Sequence, residues 1–292
     1  MRSNSNSLGT LDTSDYADLP LISIITVVFN SRECLAQTIE SVIDQSYPNL
    51  EYIIVDGGSS DGTVEVIQQY QSYLSTWISE SDRGIYDAMN KGIKLAQGEL
   101  IGILNSGDLY APNALQTVAQ LYREHRHESA IVTGAMTRFD PRSNLEFVQQ
   151  RQLKELPQRI NIGMPINHPA TFVTKALYET VGGFNPEFKI GGDYDLIYRA
   201  YHNPTVKFIF TDRVLALMSM GGVSEKLSTV WLRAREAWKI RLGKVNIMRN
   251  ALLCLRLIAL GYTKHILMAF VGQKAVWLKH KYGSKSDRLD RA

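Results

Sequence analysis

The sequence predicts an α/β fold with a mostly parallel central sheet flanked by helices. Three observations carry this prediction. Apolar runs rich in β-branched residues alternate with segments of helical spacing four times between residues 21 and 125. The longest of these runs are apolar at nearly every position, as parallel strands covered on both faces are. Each run ends in Asn, Ser, Asp or Gly, residues that turn the backbone and start helices.

The first run, residues 21–29 (LISIITVVF), ends at Asn30 and Ser31, and a helix follows over 33–45 with Leu35, Ile39, Val42 and Ile43 on one face. Residues 51–55 form a second strand that runs into the loop DGGSSDG at 56–62, where Asp61 or Thr63 caps a helix over 64–70. A short third strand, 77–79, leads into Asp82, Arg83 and Gly84 and a helix over 85–96. The fourth strand, LIGIL at 100–104, breaks at Asn105, Ser106, Gly107 and Asp108, and a helix over 112–125 follows. Strands joined by helical crossovers run parallel. Asn30, Asp56, Asp82, Arg83 and Asp108 therefore open on one edge of the sheet, where open α/β sheets bind ligands. Helix capping explains any one of these residues but not their convergence.

Beyond residue 130 the regularity changes. Short strands are expected at 131–133, 145–148 and 171–174, with a rigid polar turn at Pro165, Asn167, His168 and Pro169. Gly191 and Gly192 open a helix that runs to Tyr201 with Asp193 and Asp195 in its first turn, where the helix dipole suits carboxylates. Residues 206–210 and 214–220 read as two final strands.

Charge divides the chain. Residues 239–292 hold 12 Lys and Arg against 2 Asp and Glu, while residues 1–238 hold 20 against 27. A basic tail on an acidic body points to an anionic partner. The tail is helical in pattern over 227–242, 246–260 and 262–280, and its longest uninterrupted apolar stretch, 266–272, is far short of a membrane span. An amphipathic pair lying in a membrane interface fits, with Trp277 and the Lys279, His280, Lys281 run near the headgroups. Packing on the body or on a second subunit is the alternative. Basic residues interleaved with long aliphatic runs do not suit nucleic acid. Cys34 and Cys254 form no disulfide framework or metal spacing, so a reducing compartment is expected. The polar N-terminus has no signal-peptide core. The expected division is a flexible leader over 1–19, an α/β domain over 20–225 and a basic helical extension over 226–292.

Taken together, ITVVFN, SVIDQSYP, VDGGSSDGT, SDRGIYDAMNKG, GILNSGD, His168 with the strand after it, VGGFNP and GGDYDL resemble, in order and spacing, the family-two glycosyltransferases. The resemblance covers roughly residues 21–224 and is nearest to bacterial enzymes of surface-polysaccharide synthesis, the colanic-acid type. It implies the GT-A nucleotide-sugar-binding fold and an inverting, metal-dependent transfer of a sugar from a nucleotide-sugar donor to a saccharide or lipid-linked glycan. The family's Asp-x-Asp metal motif is reduced here to Asn105, Ser106, Gly107 and Asp108. By resemblance Asp108 ligates Mn²⁺ or Mg²⁺ on the donor diphosphate, and Asn105 offers a carbonyl oxygen or touches the ribose. One protein carboxylate suffices for a hard cation that also takes water and phosphate oxygens.

The same likeness assigns the other donor-binding roles. Asp56 accepts from the nucleotide base or ribose, and the backbone around Thr26, Phe29 and Asn30 lines that pocket. Arg83 adds positive charge near the phosphates or orients neighbouring carboxylates, a surface turn arginine being the plain alternative. Asp87 joins the site unless it forms only a helical ion pair with Lys91, four residues on. Asp193 matches the family's general base, Asp195 is structural, and His168 contacts acceptor or phosphate. A single base without a nucleophilic carboxylate implies one displacement with inversion. A non-catalytic nucleotide-sugar-binding or scaffold protein of the same fold is the alternative, favoured by the depleted metal run and disfavoured by Asp193. Nucleotidyl transfer would require an early Gly-rich basic loop, and Phe29, Asn30, Ser31 and Arg32 do not make one. The expected location is cytoplasmic, peripheral on the inner membrane's cytoplasmic face, with contact through 246–282.

Overall fold

A computed structural model of the chain describes residues 18–140, 145–222 and 226–271. Most of the leader, Ser224 and the tail residues Trp277, Lys279, His280 and Lys281 lie outside the described residues. Asp18 and Leu19, assigned by sequence to the leader, belong to the fold. The Asp18 carboxylate meets Arg123 and Arg126, and the Leu19 carbonyl accepts from Asn49.

The first half alternates as expected: β1 (Ile22–Val28), α1 (Arg32–Ile43), β2 (Leu50–Asp56), α2 (Thr63–Gln69), β3 (Thr76–Ser79), α3 (Ile85–Leu95) and β4 (Leu100–Asn105). Then come β5 (Leu109–Tyr110), α4 (Ala114–Glu124), β6 (Ala130–Asp140), β7 (Leu145–Gln149), α5 (Leu156–Arg159), β8 (Thr171–Thr174), α6 (Lys175–Val181), α7 (Gly192–Tyr201), β9 (Lys207–Ser219), α8 (Val230–Arg241) and α9 (Ile247–Val271). Among the described residues nine strands make one sheet in the order β3-β2-β1-β4-β8-β6-β9-β5, with β7 on β6. β1 to β4 are mutually parallel, with Val28 opposite Asp56 and Val27 opposite Asn105. β8 runs antiparallel to both β4 and β6, and β9 runs parallel to β6. The carboxyl ends of β1 to β4, β6 and β9 and the amino end of β8 thus share one rim.

Burial on both faces explains the unbroken apolar strands. Ile22, Ile24, Ile54 and Leu104 pack on one side with Leu35 and Ile39 of α1 and Leu115 and Val118 of α4. Ile25, Val27, Ile53 and Ile103 pack on the other with Met89 of α3, Leu196 and Ile197 of α7, and Ala237 and Ile240 of α8. The first helix of the C-terminal extension therefore shares a core with the body.

Three details differ from the sequence reading. The two final strands are one, β9, which passes through the polar Thr211, Asp212 and Arg213 by a register shift opposite Gly134. A Cβ on Gly134 would meet the Leu215 side chain at 2.6 Å, so the two strands approach closely there. The two tail helices are also one, because Gly261 lies inside α9 and is a packing residue, not a break. A Cβ at Gly261 would sit 2.9 Å from Val230 of α8. The cap of α2 differs too: the helix starts from Gly62, which has positive φ and no side chain to cap it. Asp61 instead accepts from the first helical N–H, at Thr63 (3.0 Å), and from its hydroxyl.

Candidate active site

The rim is built by loops that fasten to each other. Asp56 ends β2 fully buried. Its carboxylate accepts from the N–H groups of Gly58 (3.2 Å) and Ser59 (3.0 Å), from Ser79 Oγ at the end of β3 (2.6 Å) and from Ser59 Oγ (2.5 Å). Four donors use the acceptor capacity of a carboxylate. Asp56 thus shapes its loop, and a nucleotide N–H that reaches it must replace one of them. Asn30, at φ 47°, accepts from Ser60 N–H (2.9 Å) and donates its own N–H to Ser59 Oγ (2.7 Å). Phe29 is 62 % exposed and lies against Gly57, where a Cβ would run into the Asp82 carboxylate. The loops after β1, β2 and β3 therefore meet at Phe29, Gly57 and Asp82.

The loop after β4 joins them through Ser31 and Ser106, whose hydroxyls are 2.9 Å apart. Thr38 of α1 pins the turn, accepting from Gly107 N–H (2.9 Å) and donating to the Asp108 carbonyl (3.0 Å). The Asp108 side chain is buried, and desolvation raises its pKa to about 7 against the pull of the Ser219 N–H and the Arg138 charge. The Asn105 Oδ1 atom is buried with no hydrogen-bond partner among the described residues. Along β4, Ile101 and Ile103 face the α3 and α7 side, so Asn105 continues that row.

Asp193 and His168 form the second half of the site. They line one cavity with Ile103, Met164, Thr171 and Phe184. The Asp193 Oδ1 accepts from Tyr194 N–H (2.8 Å) and lies 3.5 Å from Tyr86 Oη. Burial raises the pKa of Asp193 against the pull of His168, and burial lowers that of His168 against the pull of Asp193. Tyr86 joins the two halves. It sits in the first turn of α3, directly after the β3 loop, donates to the Ile190 carbonyl (2.5 Å) and packs so tightly on Gly192 that a Cβ there would collide with its ring.

Several expected residues sit differently. The Thr26 side chain is fully buried in the core, paired with Tyr52 Oη (3.0 Å), which leaves only its backbone, the part expected there, for the donor pocket. Asp87 pairs with Arg83 (2.9 Å) and also accepts the Arg83 N–H (3.1 Å), closing the start of α3. The expected alternative, an Asp87–Lys91 pair, does not form: Lys91 pairs with Glu80 (2.9 Å) and donates to the Ser81 carbonyl. The Arg83 side chain is 76 % exposed, with that one acidic partner. Asp195 pairs with Arg199, which donates to the carbonyls of Val181, Gly182 and Gly183, a structural role. Sequence reasoning missed Asp82 as a junction residue and Glu236 altogether. The available signal for Glu236 was one acid between the small residues Ala234 and Ala237 of a basic helix.

Known proteins share this fold. The glycosyl transferase family 2 profile matches residues 23–179, more than half of the chain. The chain belongs to glycosyl transferase family 2. This glycosyltransferase is 28 % identical over 229 residues to a Mycobacterium tuberculosis PGL/p-HBAD biosynthesis glycosyltransferase, covering 77 % of this chain and 87 % of that one. Among solved structures it superposes on Staphylococcus aureus TarS residues 1–349 in complex with UDP-GlcNAc, with TM-score 0.60, 19 % identity, and 85 % and 73 % of the two chains covered. It covers 42 % of the longer TarS structure. It also matches the Pyrobaculum calidifontis mannosyltransferase PcManGT in complex with GDP-Man and Mn²⁺, with TM-score 0.56, 18 % identity, and 89 % and 81 % covered. The family match and these likenesses identify the curled α/β sheet as a GT-A fold.

Proposed function

We propose that this glycosyltransferase moves a sugar from a nucleotide-sugar donor to a hydroxyl of a saccharide or lipid-linked glycan, by one inverting displacement, in cell-surface polysaccharide synthesis. The observation that supports the reading is the contact of Tyr86 with Asp193, since Tyr86 follows by four residues Asp82, which meets Gly57 of the donor loops. In this reading the exposed Phe29 ring and the Asn30–Ser60 turn receive the nucleotide, and Arg83 offers positive charge to the phosphates. Asp193 takes the proton of the acceptor hydroxyl as that oxygen bonds to the anomeric carbon. The bond from that carbon to the diphosphate breaks, and the nucleoside diphosphate leaves with the electron pair. His168, kept neutral by burial, lies beside the incoming hydroxyl without quenching the base.

Among the described residues no group of three or more His, Cys, Asp or Glu could hold a metal. A divalent cation that also takes diphosphate and water oxygens needs less. The orphaned Asn105 Oδ1 and the poorly solvated Asp108 carboxylate are hard oxygen donors on one loop and fit Mn²⁺ or Mg²⁺. When bound, the cation neutralises charge growing on the leaving diphosphate. One feature favours a non-catalytic binding protein instead: Asn105 and Gly107 stand where the family usually carries carboxylates.

A thermal-shift panel of nucleotide-sugars with and without Mn²⁺ tests the donor assignment. One donor is expected to stabilise the folded chain by about 2.7 kcal/mol at a hundredfold excess over its Kd, with Mn²⁺ strengthening the effect. No shift with any donor overturns the donor assignment. A shift without turnover or donor hydrolysis selects the binding-protein reading.

We also propose that α9 rests on an anionic membrane surface at the cytoplasmic face of the inner membrane. No helix among the described residues is long and apolar enough to cross a membrane. Met248, Leu252, Leu255 and Ile266 are exposed on α9, Leu252 and Leu255 at 65 % and 61 %, and its sequence contains no acidic residue. Arg249 and Arg256 flank this apolar face. Apolar area beside unopposed basic charge suits anionic headgroups. The chain is expected to pellet with vesicles containing phosphatidylglycerol and not with neutral ones, and Leu252→Glu with Leu255→Glu is expected to release it. Equal recovery of both proteins in the pellet removes α9 from the contact.

A further inference from the structure

The C-terminal extension reaches into the site through one side chain. Glu236 of α8 is 4 % exposed and carries three hydrogen bonds from a single loop. Its carboxylate accepts from the N–H groups of Lys189 (2.8 Å), Ile190 (3.1 Å) and Gly191 (2.8 Å). These three residues directly precede α7, the helix whose second residue is Asp193. Such N–H groups have no partner within the helix and need an acceptor from elsewhere. Local side chains do not serve them: Gly191 has none, and the nearby Asp193 carboxylate accepts from Tyr194 N–H inside the helix. The acceptor comes instead from 45 residues downstream, as a carboxylate, the strongest kind of acceptor. From the opposite side Tyr86 Oη donates to the Ile190 carbonyl. The loop is thus gripped at its N–H groups by the extension and at a carbonyl by the donor half.

Resting on the reading of Asp193 as the base, we infer that Glu236 is a positioning residue that fixes the start of α7, and with it the Asp193 carboxylate, against the donor loops. The C-terminal helices are then part of the catalytic apparatus as well as a surface attachment. The three hydrogen bonds of Glu236 all go to the loop before α7 and to no residue assigned to donor binding, so its removal is expected to displace the base and spare the donor pocket. A misplacement of about 1 Å at such a site costs on the order of 10²-fold in rate.

The test is steady-state transfer by Glu236→Gln, Glu236→Asp and Asp193→Asn in the full chain. Glu236→Gln keeps the shape but turns one acceptor oxygen into a donor amide facing backbone N–H groups. It is expected to lower kcat roughly 10- to 100-fold while the donor KM stays within about twofold. The groups facing Asp193 are His168, Tyr86 and the Tyr194 N–H. A loosened loop admits water among them, so the acid limb of the kcat–pH profile is expected to move down toward the ordinary carboxylate range. A merely structural Glu236 would lower thermal stability and leave that limb in place. Glu236→Asp, one methylene shorter, keeps the charge but not the reach and is expected to fail likewise. Full rescue by Asp, or a donor KM that rises as far as kcat falls, overturns the positioning role. Should Glu236→Gln not fold, Tyr86→Phe releases the other grip on Ile190 and keeps the ring stacked on Phe184, with the same kcat-selective loss expected. Wild-type turnover by Asp193→Asn defeats the base assignment itself. An inactive Asp193→Asn beside a Glu236→Gln with wild-type kcat and pH limb defeats the positioning role alone.

Discussion

Asp193→Asn is expected to lower sugar transfer by about 10²- to 10⁴-fold, the range a positioned general base supplies, and to leave donor affinity unchanged. The substitution is close to isosteric. The amide oxygen still accepts the Tyr194 N–H, so the start of α7 keeps its geometry, and the loss is of proton acceptance. Burial holds the Asp193 pKa above the ordinary carboxylate value, which makes it a stronger base than an exposed aspartate. The reaction needs the ionised form, so kcat is expected to rise with pH through that elevated pKa and then level. His168 would oppose this if it were charged, but burial drives its pKa down. A kcat–pH profile of wild type beside single-turnover rates of the variant decides the matter. Transfer at the wild-type rate by Asp193→Asn would end the assignment.

The second large effect concerns Asp108 and has opposite signs for stability and activity. Desolvation takes this carboxyl from near 3.8 to about 7 in the folded chain. The folded state therefore holds the proton more tightly than the unfolded state. Stability conferred by the protonated form is present below pH 4 and is lost as pH rises from about 4 to about 7, by linkage up to roughly 4 kcal/mol. Asp108→Asn removes that cost. In chelator at pH 8 the variant is expected to resist urea better than wild type, with the two converging near pH 4. Bound Mn²⁺ is expected to restore stability to wild type alone. The variant is expected to lose roughly 10²-fold or more in transfer, as charge on the leaving diphosphate goes unopposed. Parallel urea midpoints for the two proteins from pH 4 to 8 would refute the buried-charge account, and full wild-type activity in EDTA would remove the cation.

The legible part of the molecule was set by local pattern. Strands β1, β2 and β4 announced themselves because burial on both faces favours apolar residues, while the short edge strand β3 was marked chiefly by its place between two helical patterns, and the ends of all four were marked by the residues that turn the chain. That pattern also located the rim, since parallel strands release their carboxyl ends on one side. Asp195 pairs with Arg199 one helical turn away, a contact of the short range that local pattern can carry. What could not be read was set by contacts remote in sequence. The partner of Thr26 is Tyr52 across the sheet, and the partner of Lys91 is Glu80 and not the nearer Asp87. Tyr86 and Glu236 owe their places to a loop about 100 residues after one and about 45 before the other. Gly261 separated two helical patterns in the tail, yet, like Gly134, it admits a neighbouring element at a distance a side chain would obstruct.

The burial of Arg241 bears on how such enzymes can be divided. Its guanidinium lies wholly inside, holding Asn250 and Cys254 of α9 on one side and the carbonyl of Asn161 in the body on the other. A cut near residue 225 would strip away this tie along with Ala237 and Ile240, opening the core against α7. Modular exchange between relatives therefore has its natural seam downstream of Tyr262, whose hydroxyl still accepts from Trp231 of α8.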